Sequence, residues 1–159
     1  MMNKKGFTLI ELLLVIIILG VLSALISGNF FTSLKKGRDA KRKADLEQTQ
    51  RALEMYYEDK KAYPLTADLT FGTSLSDPVS EKIYMQKVPN DPISGKSYQY
   101  LSADGTSYKL FGCLENILQI LPYVSSGYSY TSDNCGSCKD QAEADVLCVW
   151  GVSSTNISP

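Results

Sequence analysis

Histidine is absent from the 159 residues of this chain, and tryptophan occurs once. Without an imidazole, Ser/His/Asp triads, Cys/His dyads and histidine-ligated zinc sites are excluded. The sequence also has no G-x-S-x-G motif and no phosphate-binding loop. We therefore expect neither an enzyme nor a bound cofactor. The net charge is only −1, so bulk charge does not predict binding to a polyanion.

Proline is missing from the first 63 residues, and charge is unevenly distributed along the chain. Residues 1–61 carry 11 Lys/Arg and 7 Asp/Glu, whereas residues 62–159 carry 5 and 10. The absence of proline allows one long helix, which Tyr63 and Pro64 should end. Leu46, Thr49 and Leu53 (with Tyr56) form the apolar face of its last third.

Residues 7–26 form an apolar run with a single charge, Glu11. A helix of this length spans about 30 Å, the thickness of a bilayer core, which predicts a transmembrane helix. A buried core helix is the first alternative, but a one-domain chain has too little other apolar material to surround it. A cleaved signal peptide is the second, but the run is too long and holds an acid near its start. A lone Glu in such a helix costs about 2.5–3.5 kcal/mol, so it needs a partner or a role.

The residues around Glu11 read KGFTLIELL, and this string resembles the prepilin signature of type IV pilins and type II secretion pseudopilins. The resemblance implies cleavage between Gly6 and Phe7 by a prepilin peptidase, followed by N-methylation of Phe7. It also implies that Glu11 pairs with the N-terminal amine of a neighbouring subunit. Two charges that neutralise each other in apolar surroundings would set the axial register of a helical filament.

Six basic residues lie between residues 35 and 43 without an apolar stripe, so we expect this part of the helix to protrude from its own domain. They are Lys35, Lys36, Arg38, Lys41, Arg42 and Lys43. Three interpretations stay open: a nucleic-acid surface, a solvated face paired with nearby acids, and contact with lipid headgroups. The last two are favoured. The positive-inside rule would place this cluster in the cytoplasm and the N-terminus on the other side of the membrane. The prepilin resemblance and the four cysteines beyond the apolar run favour the opposite orientation, with the N-terminus in the cytoplasm.

Beyond the helix the sequence predicts a small antiparallel sheet. Residues 97–101 and 107–114 are tyrosine-rich strand candidates, and residues 103–106 between them give a hairpin signal. Asp77-Pro78 and residues 80–85 suggest a turn and a short helix, and residues 146–150 suggest a last buried strand. The run V-P-x-D-P-x-x-G-x-x-Y-x-Y at residues 88–100 resembles major pseudopilins of type II secretion.

Four cysteines lie beyond the apolar run, at Cys113, Cys135, Cys138 and Cys148. An even number in an exported domain favours structural disulfides, with three connectivities open. Zinc binding and a redox Cys-x-x-Cys motif are weaker alternatives, because no second close pair and no thioredoxin-like pattern is present.

Two further motifs carry little weight. The acidic residues Asp133, Asp140, Glu143 and Asp145 lack the spacing of a calcium loop, so we expect a solvated loop and no metal site. Asn156 begins a glycosylation pattern, but the pattern is short and the compartment is expected to be bacterial.

Together these observations predict an α+β, pilin-like fold: a long N-terminal transmembrane and stem helix packed against a small antiparallel sheet. The expected segments are a leader (1–6), a transmembrane half (7–28), a stem (29–63), a globular domain (64–151) and a polar tail (152–159).

The expected function is that of a structural subunit of a type IV pilus or a type II secretion pseudopilus. The resemblance implies several partners: other pilin-like subunits, the prepilin peptidase, an inner-membrane assembly platform with its motor ATPase, and membrane lipid. It also implies a single-pass protein with its domain outside the cytoplasm. The alternative is a membrane-anchored binding module, such as a DNA receptor, that never polymerises.

Overall fold

The computed structural model describes residues 6–122, 125–130 and 135–155, without the side chains of residues 27–29. The chain divides into two compact units, Met1–Lys35 and Lys36–Pro159, which are described separately below. The leader before Gly6, Asp133 and the acceptor Asn156 lie outside the described residues.

The first unit contains the start of helix α1 (Leu9–Lys60). Its segment Leu9–Ile26 has a mean hydropathy of 3.0, and none of it is buried by the rest of the protein. Ordinary protein surfaces do not expose so long an apolar segment, and the length matches a bilayer core. This segment is therefore a candidate membrane span.

The second unit contains the rest of α1, and its buried face follows the predicted helical spacing. Leu46, Thr49 and Leu53 are almost fully buried, and Tyr56 packs against the same core. The helix ends at Lys60, three residues before the expected stop. Lys61 takes a left-handed conformation and donates its backbone N–H to the carbonyl of Tyr57, which closes the last turn.

Among the described residues, seven short strands form three antiparallel sheets. They are β1 (Leu75–Ser76), β2 (Ile83–Met85), β3 (Gln99–Leu101), β4 (Lys109–Cys113), β5 (Ser137–Lys139), β6 (Asp145–Leu147) and β7 (Val149–Ser153). β1 pairs with β2 and β5 pairs with β6, while the central sheet has the order β3-β4-β7. The long helix and small antiparallel sheets confirm the predicted α+β, pilin-like fold.

The β3–β4 hairpin confirms the prediction made from residues 97–114. Tyr100 lies opposite Leu110, and the connecting turn contains Gly105 with φ of 74°. A side chain at Gly105 would lie 2.9 Å from the carbonyl oxygen of Tyr63. Gly105 is therefore required both by its backbone conformation and by close packing against the chain that follows the helix.

Two expectations about elements are wrong. Residues 80–85 form no helix; their second half is strand β2, whose Met85 is buried in the core. The expected polar tail also begins too early, because β7 continues through Ser153 and Ser154 is buried beside Tyr108. Pairing with β4, rather than hydropathy, keeps these last polar residues in the sheet.

Candidate functional site

The N-terminus of α1 is capped by three reciprocal hydrogen bonds between Thr8 and Glu11. The backbone N–H and the hydroxyl of Thr8 donate to Glu11 Oε2 at 2.8 and 2.7 Å. The backbone N–H of Glu11 donates back to Thr8 Oγ1 at 3.3 Å. This arrangement is a capping box, which satisfies helix-terminal donors that have no partner within the helix.

The capping box also orients the carboxylate that the sequence singled out. Glu11 lies in the first helical turn, where the helix dipole favours a negative charge. Phe7 precedes the cap and is 88% exposed, and the apolar side chains that follow Glu11 are also exposed. Glu11 is thus held next to Phe7, and its charge has no cationic partner among the residues described in this unit.

In the second unit the side chain of Arg42 is fully buried and surrounded by three carboxylates. Its guanidinium binds Asp91 through two hydrogen bonds of 2.7 and 2.9 Å. It also contacts Asp39 at 2.8 Å and Glu115 at 2.6 Å. Burial opposes the charged form, but the hydrogen bonds to Asp91 and Glu115 outweigh it and raise the pKa of Arg42.

Arg38 extends this ionic network at a half-exposed position. It forms a bidentate pair with Glu115, with distances of 2.9 and 2.6 Å. These hydrogen bonds, together with those from Arg42, lower the pKa of Glu115 to about 2. Glu115 therefore stays ionised across the physiological pH range.

Asp39 connects the network to the chain that follows β4. Its carboxylate accepts hydrogen bonds from the backbone N–H groups of Glu115 and Asn116, at 2.7–3.1 Å. The helix is thus anchored to the domain already at Arg38 and Asp39. The expectation that residues 35–43 protrude without packing is wrong for this part, because charge pairing replaces the missing apolar stripe.

The basic cluster is therefore not a uniform surface. Two of its six members, Arg38 and Arg42, are neutralised by carboxylates of the same domain. Lys43 contacts the face of Trp150, with its Nζ 4.5 Å from the ring centroid. Lys36 and Lys41 are exposed, and no ion pair to them is found in the described parts of the second unit.

All four cysteines are paired, which confirms structural disulfides as the favoured prediction. Cys113 bonds Cys135, and Cys138 bonds Cys148. Both bridges are buried, the first beside Phe111 and the second beside Leu114 and Leu121. The two cysteines of the Cys-x-x-Cys motif, Cys135 and Cys138, are not bonded to each other. No cluster of metal-ligating side chains occurs among the described residues.

Sequence reasoning singled out Glu11 but missed its cap, although the T-x-x-E spacing from Thr8 carries that signal. Pairing of the basic run with nearby acids was predicted, and Asp39 is such a partner of Arg42. The burial of Arg42 and its partners Asp91 and Glu115 were missed, because these two lie 49 and 73 residues from Arg42 along the chain. The fold alone brings them together.

Two family models match the chain. One, described as the prokaryotic N-terminal methylation motif, matches residues 1–27. The other, described as type II secretion system (T2SS) protein G, matches residues 29–113, which is more than half of the chain. No solved structure matches it.

Curated relatives agree with these models. The chain is 32% identical over 143 residues to type II secretion system core protein G of Dickeya chrysanthemi, covering 85% of this chain and 86% of the relative. It is 33% identical over 109 residues to the Vibrio cholerae protein of the same name, covering 64% and 73%. It is 36% identical over 111 residues to that of Pseudomonas aeruginosa, covering 65% and 77%.

The exposed apolar helix, its capped N-terminal acid and these matches agree with one another. They favour a filament subunit over an anchored module that never polymerises. The chain belongs to the type II secretion system protein G family, the pseudopilins, which are structural subunits anchored by an N-terminal apolar helix.

Proposed function

We propose that this pseudopilin is cleaved between Gly6 and Phe7, methylated at Phe7, and assembled into a helical pseudopilus through Glu11. The observation that carries the proposal is the capped N-terminus. Thr8 occupies one carboxylate oxygen of Glu11, and no cation faces the other within the described part of this unit. Cleavage would create an amine at Phe7, which is the cation that the site lacks.

The amine and the acid belong to different subunits in this proposal. Within one chain, Thr8 and the helix dipole offset only part of the cost of a carboxylate in an apolar helix. The amine of a neighbouring Phe7 would complete its neutralisation inside a bundle of such helices. Each subunit carries one amine, at Phe7, and one carboxylate, at Glu11. The contact between the two groups therefore does not close on itself and propagates as a filament.

The finer assignments of partner and compartment follow from the same proposal. A prepilin peptidase removes the leader, and an assembly platform with a motor ATPase moves the subunit from the membrane into a polymer with other pilin-like subunits. Until then the apolar helix is solvated by lipid. The N-terminus faces the cytoplasm, and the disulfide-bonded domain lies in an oxidising compartment outside it.

Intact-mass analysis of the protein isolated from its native membrane tests the processing step. We expect a mass lacking residues 1–6 and carrying one methyl group, which fragmentation should locate on Phe7. A Gly6→Ile variant is the matched control, because it leaves the helix intact and removes the small residue before the cut. Filaments built from chains that keep Lys4 and Lys5 would contradict the proposal.

A further inference from the structure

The loop that follows β4 exposes three aliphatic side chains at its tip, defined here as residues 117–120. Ile117 is 54% exposed, Leu118 is 78% exposed and Ile120 is 66% exposed. Side chains of this kind normally pack inside a domain, and a concentrated exposed group of them marks a contact with another protein or with a membrane. The position of the loop tip in the fold decides between these two partners.

The loop tip lies at the end of the second unit where α1 enters it. The loop is bound to the first turns of the helix in this unit, because Asp39 accepts the backbone N–H of Asn116. Other parts of the domain are bound to the opposite end of the same helix, where Lys60 pairs with Asp77. Asp39 and Lys60 are 21 residues apart, which corresponds to about 32 Å along the helix. The loop tip is therefore at the end of the domain from which the chain leads back to the candidate membrane span.

Only a short stretch of chain separates the span from the residue that holds the loop. The apolar segment ends at Ile26, and Asp39 follows 13 residues later. Even a fully extended chain of this length reaches no more than about 47 Å. Such a tether gives the loop tip a high effective concentration at the surface of the bilayer that holds the span, so that a weak affinity is enough for contact. A partner in solution has no such advantage.

The loop tip is also held in a fixed shape. Lys43 donates to Gln119 at 3.2 Å. At the end of the loop tip, Leu121 is buried and donates its backbone N–H to the carbonyl of Lys139 at 2.9 Å. A preorganised apolar surface loses little conformational entropy when it binds. The aliphatic side chains are therefore kept ready for contact rather than folded back into the domain.

Charge near the loop tip favours neither sign. Lys36 and Lys41 are exposed cations on the same turns of α1. The turn before β6 carries Asp140 and Glu143, and it adjoins the loop tip at Ile120. The chemistry of binding is therefore burial of apolar surface, for which a zwitterionic bilayer is sufficient, and not attraction to an anionic one.

We propose that the loop tip inserts its aliphatic side chains into the surface of the bilayer that holds the apolar helix, and so docks the domain of the unassembled subunit on lipid. The contact goes beyond the proposed function, because it requires neither cleavage nor assembly. It is a second membrane contact, carried by the domain itself. Because the subunit leaves the bilayer when it is assembled, the contact belongs to the unassembled state.

Quenching of tryptophan fluorescence by brominated lipid tests this contact with the full-length chain. The Leu118→Trp variant is reconstituted at one copy per nanodisc of phosphatidylcholine, with or without bromine on the acyl chains. We expect brominated lipid to lower the emission of the added tryptophan at least about twofold, after subtraction of the Trp150 signal measured with the unmodified chain.

The matched control is Ala103→Trp, which lies on the exposed β3–β4 turn. This turn contacts the chain at Tyr63, beyond the far end of the helix, so its added tryptophan should not be quenched. Absence of quenching in Leu118→Trp, or equal quenching in the two variants, would overturn the proposal.

A second substitution tests whether the neighbouring aliphatic side chain takes part. Adding Ile120→Asn to Leu118→Trp should reduce the quenching at least about twofold, whereas adding Val79→Asn, at an exposed position outside the loop tip, should not change it. Undiminished quenching with Ile120→Asn would show that the added tryptophan enters lipid by itself, and would contradict the proposal.

The same nanodiscs separate lipid from a second copy of the chain. Each disc holds one chain, so no other copy can cover the loop tip there. An emission that is unquenched in the discs and shifts to the blue only in assembled filaments would assign the loop tip to a contact between subunits and overturn the lipid contact. Failure of the proposed function, seen as missing filaments, would leave the quenching unchanged.

Discussion

Glu11 and Arg42 are both charges that need a partner, but they are satisfied in different ways. Arg42 is fully buried and finds three carboxylates within its own domain. Glu11 has only the capping donors of Thr8, and every apolar side chain around it is exposed. A charge neutralised within the chain specifies the fold of a domain. A charge that has no oppositely charged partner in its own chain can be neutralised only by another molecule.

The comparison is tested first at Glu11. Glu11→Leu should reduce sheared filaments at least tenfold, because the amine of the neighbouring Phe7 loses its counter-charge. The level in the membrane should be normal or higher, because removing a charge from an apolar helix favours insertion. Glu11→Gln separates two roles, since it can still accept hydrogen bonds from Thr8 but carries no charge. Normal filaments from both variants would show that the charge has no part in assembly.

The corresponding change at Arg42 should act on folding instead. Arg42→Ala leaves Asp39, Asp91 and Glu115 without their central cation, which costs about 3–5 kcal/mol for a buried pair. We expect the melting temperature of the full-length chain in detergent to fall by at least about 10 °C. Arg51→Ala is the matched control, because Arg51 is exposed on the same helix and should change the melting temperature by less than about 2 °C. Equal melting temperatures for the two variants would contradict the structural role of the network.

The two disulfides should contribute slightly less to the free energy of unfolding than the ionic network around Arg42 does. Thiol labelling of the unreduced, denatured protein should find no free cysteine, because all four are paired. Reduction should lower the free energy of unfolding by about 2–5 kcal/mol and shift the thermal transition accordingly. Four labelled thiols, or one bound zinc per chain, would overturn the assignment.

The smallest expected effect is the contribution of Glu115 to the pH dependence of stability. The folded-state pKa of Glu115 is lowered to about 2 by Arg38 and Arg42, so the unfolded chain takes up a proton first as pH falls. This residue therefore stabilises the fold fully above about pH 5, and that contribution, on the order of 1–3 kcal/mol, is lost towards pH 2. Glu115→Gln should flatten the acid limb of a stability profile. A profile for Glu115→Gln that superimposes on the unmodified one would contradict this assignment.

The N-terminal apolar segment and the extent of α1 were largely predictable from sequence because their determinants are local. An apolar run, the KGFTLIELL string and the absence of proline specify a helix and its length within one continuous segment. The hairpin around Gly105 was predictable for the same reason, since residues 103–106 adjoin the two strands that they connect.

The ionic network was not predictable, because its partners come from three separate segments. Arg42 carries no sign in its own neighbourhood that it is buried, and charged residues at 35–43 suggest a solvated surface. The end of β7 was missed for a related reason. Polar Ser153 and Ser154 are held by pairing with the chain at Tyr108 and Lys109, not by their own hydropathy.

The order of the cysteine pairs has a consequence for biosynthesis. The first cysteine bonds the second and the third bonds the fourth, with spacings of 22 and 10 residues. Because a chain emerges from its N-terminal side, an oxidant that joins cysteines as they appear would form Cys113–Cys135 before Cys148 arrives. Both native bridges are then reached by oxidation in chain order. An oxidant acting on the cysteines in chain order would therefore reach both native bridges without passing through a non-native pair.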